Sequence, residues 1–205
     1  MDLTTTAENA ERCQRNWDYE RPVSQEHVDT IVHVATTMPT KNNRKYYELL
    51  VSTNQDFNRM CYTHAVDPRN LHFQNKEIHR NTQVVAPLLL IWRPVDLDSV
   101  DNPFGDDYRD DFLISTGISS GAAVLAANSL GYRTGYCTCF DTNELYESMQ
   151  DQFGVQHYDR TFRKILTVGI GHPHPDFSRR DCVLDGVHGF TAETRNKQID
   201  ITTIT

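Results

Sequence analysis

From Ser24 onward the apolar positions Val28, Ile31, Val32 and Ala35 recur three and four residues apart, a spacing that stacks them on one stripe of a helix. Ser24 stands before the run as an N-cap and Pro39 ends it, so the spacing predicts a helix of roughly three to four turns. The polar, basic stretch "PTKNNRKYY" follows, and then "ELLVST" at 48–53, short and apolar enough for a buried strand. Residues 54–83 are mixed and read as one or two short helices. "VVAPLLLIW" at 84–92 is a second core strand, with Pro87 marking either its start or a sheet edge. Residues 96–111 hold seven aspartates without the spacing of a calcium loop and read as an exposed loop.

The strongest helical signal runs from about 111 to 130. Ile114, Ile118, Ala122 and Leu125 fall on one face, while Gly117, Gly121, Ala123 and Ala126 keep other faces small. A helical glycine costs about 1 kcal/mol against alanine, so two of them predict a close approach by another helix, another subunit or a flat ligand. Gly131 stops the helix. "TGYCTCF" at 134–140 alternates as a third strand, a short helix spans about 143–153, and "KILTVGIG" at 164–171 is a fourth strand before the turn "HPHPDF". No internal repeat is present. Helices and strands alternate irregularly, which predicts an α+β layered domain over residues 1–205, with a polar leader of about ten residues (1–10) and a polar tail (188–205).

Composition narrows the classes. The chain has 205 residues, 38% hydrophobic and 23% charged, enough for one domain with a real core. Its net charge of -8, from 28 acids against 20 bases, disfavours a nucleic-acid partner. The five cysteines are odd in number and show no zinc-like spacing, which fits reduced thiols in the cytoplasm. The leader carries neither a positive start nor an apolar stretch, and the longest apolar run, 84–92, is too short to span a bilayer, so no membrane role is expected.

Against this acidic background three basic clusters stand out: Arg12 with Arg15, three residues apart in "ERCQRNW"; Lys41, Arg44 and Lys45; and Arg179 with Arg180. Guanidinium groups are the usual bidentate partners of a phosphate, so the clusters are candidates for one anionic ligand. No G-x-S-x-G, P-loop, G-x-G-x-x-G or H-E-x-x-H motif occurs. His172 and His174 in "GHPHP" form a weak candidate metal pair. Cys137 and Cys139 alternate on the third strand, where buried spectator thiols are the simpler reading than a redox pair.

Taken together, these segments resemble the nitroreductase family of flavin-dependent oxidoreductases. "ERCQRNW" is similar to that family's opening R-R-S-x-R-x-F. "VSQEHVDTIVHVATTMPTKNNRKYY" is similar to its V-S-x-E helix and the A-P-S-x-x-N-x-Q-P-W that follows. "VVAPLLLIW", the Gly-Ala-rich "STGISSGAAVLAANSLGY" and the closing "VGIGHPHPDFSRRDCVL" continue the pattern in the same order, from about residue 11 to 187. The resemblance implies a three-layer α-β-α sandwich around a mainly antiparallel sheet, a homodimer, and FMN bound at the subunit seam.

On that resemblance Arg12 and Arg15 grip the FMN phosphate, with Arg179 or Arg180 joining from the far end of the chain and Cys13 a poorer donor beside them, and Pro39, Thr40 and Asn43 lie against the flavin from the partner subunit. Tyr136, Cys137, Thr138 and Cys139 form the opposite wall, with a backbone N–H near flavin N5, and Arg80 to Gln83 reach the pyrimidine edge. The implied reaction passes a hydride from NAD(P)H to the flavin and electrons onward to a nitro-aromatic, quinone or similar flat acceptor, with no catalytic side chain. Reductive dehalogenation, flavin breakdown, or flavin binding with little turnover are the alternatives. Glu11, Cys13 and Lys45-Tyr46-Tyr47 depart from the family's arginine, serine and Q-P-W.

Overall fold

The computed structural model describes residues 2–65, 80–95, 108–140, 142–156, 165–192, 199 and 201–203. Its elements are α1 (Leu3–Ala10), α2 (Gln25–Thr36), β1 (Tyr47–Ser52), α3 (Gln55–His64), β2 (Leu88–Pro94), α4 (Tyr108–Ser129), β3 (Arg133–Cys137), α5 (Thr142–Phe153), β4 (Leu166–Gly171), β5 (Asp181–Leu184) and β6 (Val187–Thr191). The expected α2 forms with Ser24 as its cap, the Ser24 hydroxyl accepting from His27 N at 3.3 Å. Residues 3–10, read as a polar leader, are instead a helix capped by Asp2, which accepts from Thr5 N at 3.1 Å. Most of the aspartate-rich 96–111 lies outside the described residues; its last four begin α4.

β1, β2, β4 and β3 pair in that order, each pair antiparallel. β2 is therefore central, and Pro87 sits just ahead of its first residue, where the missing N–H costs no ladder bond. Every residue of β2 is buried, and the period of two explains why. Leu88, Leu90 and Trp92 pack with Val28, Ile31 and Ala35 of α2 and Ala123, Val124 and Ala127 of α4. Leu89 and Ile91 face the other way, onto Phe57, Met60 and Cys61 of α3 and Leu145 and Met149 of α5. Helices cover both faces of the sheet, giving the three-layer α-β-α sandwich.

α4 does not pack through the face that carries Ile114, Ile118 and Leu125. Phe112, Ser115, Thr116, Ser119, Ala123, Val124, Ala127 and Asn128 are buried, whereas Ile114, Ile118 and Leu125 are 61%, 43% and 39% exposed. Two of the buried polar residues find partners: Trp92 Nε1 donates to Ser119 Oγ at 2.8 Å, Ser119 Oγ donates to Ala35 O at 2.7 Å, and Asn128 Nδ2 donates to Thr134 Oγ1 at 3.1 Å, whereas Thr116 Oγ1 and Asn128 Oδ1 have no partner among the described residues. By length and composition this 22-residue helix could cross a membrane, a property it shares with core helices, and half of the qualifying window is buried in the fold.

β5 and β6 form a hairpin inside the stretch read as basic loop and polar tail. The two-residue turn Asp185-Gly186 has φ of 51° and 76°, the paired positive values of a type I′ turn. Arg59 of α3 grips that turn, its Nη1 and Nη2 donating to Asp185 Oδ2 and Oδ1 at 2.8 and 2.5 Å.

Candidate functional site

Two glycines on the edge half of the sheet decide where the N-terminal segment and the turn before β2 can lie. A Cβ on Gly135 of β3 would stand 2.3 Å from Gln14 O, and one on Gly169 of β4 would stand 1.9 Å from Gln83 O. Only glycine permits these approaches. Residues 14–18 are then fastened bond by bond. Gln14 N donates to Thr134 O at 2.8 Å, Trp17 Nε1 to Thr82 O at 2.9 Å, and Asp18 N to His172 O at 2.9 Å; Thr82 Oγ1 donates back to Arg15 O at 2.5 Å. Arg12, Cys13 and Arg15 are thereby held at the β3 edge, with Cys13 Sγ 3.8 Å from Tyr136 O.

The second arginine pair arrives on a tight turn. Asp181 N donates to Ser178 O at 2.9 Å, which closes a four-residue turn with Arg179 and Arg180 at its two middle positions, where side chains project outward. Asp181 also accepts from Ser178 N at 2.9 Å and from Thr191 Oγ1 at 2.6 Å, so one carboxylate braces both the turn and the hairpin. Those hydrogen bonds, that of Thr191 first, hold its carboxyl below the ordinary range.

The two pairs share one space. Arg179 is pushed below its ordinary value first by partial burial and then by the charges of Arg12, Arg180 and Arg15. Among the described residues no carboxylate forms an ion pair with Arg12, Arg15 or Arg179. Arg12, Arg15 and Arg179 thus gather positive charge at one place on the surface with no carboxylate partner among the described residues. Burial pushes the nearby Cys182 thiol up to about 11, opposed by a hydrogen bond from Thr82 and by the charge of Arg15.

Of the other expected site residues, Tyr136, Cys137, Thr138 and Cys139 run from β3 alongside this cluster. Tyr136 and Thr138 are exposed, and Cys137 turns inward with Cys139 packed beside it in the α3–α5 core. The hydrogen bond with Cys139 and then burial hold the Cys137 thiol up, the state of a spectator thiol. Gln83 lies behind β3, buried, and its Oε1 has no partner among the described residues. Arg80 is half-buried near Tyr62. His172 packs at a tilt against Tyr132 and His174 against Phe177, with ring centroids 4.9 and 4.8 Å apart.

Pro39, Thr40 and Asn43 do not join the cluster within the chain. They belong to the loop before β1, at the opposite edge of the sheet, where Thr40 Oγ1 donates to Arg44 O at 2.6 Å. Thr40 and Asn43, with Arg44 to Leu50, border an open groove of about 510 Å³. The basic side chains there are partly neutralised, Lys41 by Asp111 at 3.1 Å and Lys45 by Glu48 at 3.3 Å. The residues that organise the arginine cluster, Gln14, Asn16, Thr82 and Asp181, carry no sequence signal beyond being polar residues next to the basic pairs.

No family model matches the chain, and no curated protein matches it. Solved structures do. A nitroreductase family protein from Clostridium novyi NT is 16% identical, with a TM-score of 0.63 over 88% of this chain and 90% of that one. Nitroreductase-type proteins in complex with FMN, from Exiguobacterium sibiricum 255-15 and Desulfovibrio desulfuricans, are 16% and 15% identical. Each has a TM-score of 0.63 over 87% of this chain, and they are covered to 93% and 90% of their own length. The chain has the nitroreductase fold.

Proposed function

We propose that the protein is an FMN-dependent oxidoreductase, working as a homodimer, that takes a hydride from NAD(P)H and reduces nitro-aromatic, quinone or similar flat acceptors in the same pocket. The observation that carries this reading is the meeting of Arg12, Arg15, Arg179 and Arg180 at the β3 edge. The donor set fits a phosphorylated flavin: several guanidiniums offer bidentate bonds to a phosphate dianion, and three of them have no carboxylate partner among the described residues. The FMN complexes of two proteins of the same fold support the assignment.

In this reading the four arginines bind the phosphate, with Cys13 a weaker donor beside them. The wall from Tyr136 to Cys139 would orient the ring system, and the main-chain N–H of Thr138 or Cys139 would supply a hydrogen-bond donor to it. Arg80 and Gln83 serve the pyrimidine edge, where a donor stabilises charge that grows on reduction. Bound FMN supplies reversible two-electron hydride chemistry. Pro39, Thr40 and Asn43 of the partner subunit close the pocket, a reading supported by their place at the sheet edge opposite β3. The exposed stripe Ile114, Ile118 and Leu125 on α4, with open space over Gly117 and Gly121, supports a two-fold seam.

Cys13, standing where the resemblance calls for serine, favours one second reading, a flavin-binding protein with little turnover. Anaerobic titration of FMN-loaded protein with NADH and with NADPH separates the two. Bleaching of the flavin band, followed by its return on adding a quinone, is expected. Protein that takes up no FMN contradicts both readings, and bound FMN that neither nicotinamide bleaches contradicts the first.

A further inference from the structure

Asn16 lies between Arg15 and Trp17 and is 1% exposed. Its Nδ2 donates to Phe177 O at 3.4 Å and to Ser178 O, the carbonyl that opens the turn bearing Arg179 and Arg180. Its Oδ1 accepts from His174 N at 3.1 Å and from Gln14 Nε2 at 2.7 Å. A single side chain thus ties the segment carrying Arg12 and Arg15 to the loop carrying the other pair, across more than 160 residues of sequence. The amide supplies two donors and an acceptor together, which these four bonds use. Four guanidiniums repel one another, so without a ligand their shared position has to be imposed by groups outside the cluster.

We propose that Asn16 is the positioning residue that joins the two arginine pairs into one anion cradle, an inference that rests on the phosphate reading given above. It touches no ligand itself and acts through Ser178 and the backbone of its own segment. Asp181 braces the same turn from the other side, through Ser178 N.

The test compares FMN with riboflavin, which lacks the phosphate. In Asn16→Ala the dissociation constant for FMN is expected to rise by about tenfold, the size of one lost charge-assisted contact, with that for riboflavin unchanged. Asp181→Asn is the companion variant: it removes a negative charge near the arginines, which on simple electrostatics tightens FMN binding, whereas loss of the turn weakens it. Equal losses for both flavins in Asn16→Ala, or none, would overturn the proposal, as would tighter FMN binding in Asp181→Asn. Inorganic pyrophosphate serves as a flavin-free probe: it is expected to raise the Tm of the wild type and not that of Asn16→Ala. Wild-type protein that binds FMN no better than riboflavin removes the phosphate reading, and the pyrophosphate arm then decides on Asn16, an equal rise in Tm for both proteins, or a rise in neither, counting against it.

Discussion

Ser119 shows how a polar residue earns a place inside α4. It accepts from the buried Trp92 indole and donates to the Ala35 carbonyl in the last turn of α2. Ser119→Ala strands the indole N–H and leaves Ala35 O only the longer bond from the Tyr47 hydroxyl at 3.3 Å, and a stability loss of about 1–3 kcal/mol is expected in urea unfolding. An unchanged midpoint would mean the relay contributes nothing. At the surface, Arg59 and Asp185 make a bidentate pair on an exposed turn, so Asp185→Asn should cost less than about 1 kcal/mol at neutral pH. Its pH dependence has a fixed sign. The hydrogen bond from Arg59 depresses the folded carboxyl, so the contribution is complete above the unfolded value and disappears as pH falls through the lower folded one. The gap between wild type and variant should therefore close on acidification below the ordinary carboxylate range; a gap that persists would deny the ion pair its role.

Among the elements, the turn before β2 and the N-terminal segment depend on glycine. Gly169→Ala places a methyl 1.9 Å from Gln83 O, a backbone atom that cannot swing aside, so a large drop in Tm is expected. Gly121→Ala meets nothing within 4 Å and should leave the fold of a single protomer intact. Similar thermal melts for the two variants would show that the turn does not press on the sheet. α2 and β2 were legible because their patterns are unopposed: a capped 3.6-residue period in one, a strand buried on both faces in the other. α4 was legible as a helix but not in its orientation. Hydrophobicity points to Ile114, Ile118 and Leu125, while Ser119 and Asn128 are buried because Trp92 and Thr134 satisfy them. The β5–β6 hairpin had its Asp185-Gly186 signal in the sequence, masked by short flanking strands of four and five residues.

For the whole molecule, the stripe on α4 and the opposite placement of the two halves of the proposed pocket belong together. Ile118→Arg puts a charge in the middle of an exposed apolar face, which a monomer tolerates and a two-fold seam does not. Analytical ultracentrifugation should show a dimer for the wild type and a monomer for the variant, with FMN affinity lost alongside; a wild-type monomer would remove the seam. The meeting of residues 12–15 with 179–180 was the least legible feature, because spacing along a chain says nothing about which loops the sheet brings together. Here the order β1-β2-β4-β3 does so, by placing β3 next to β4 and so setting the loop after β4 beside the segment bonded to Thr134. The most direct test is the FMN dissociation constant of Arg12→Ala, Arg179→Ala and the double variant. Each single change is expected to weaken binding by about tenfold or more, with riboflavin unaffected. The double variant should lose less than the sum, because both contacts serve one phosphate. FMN binding unchanged in all three would contradict the shared cradle on which the proposed function stands.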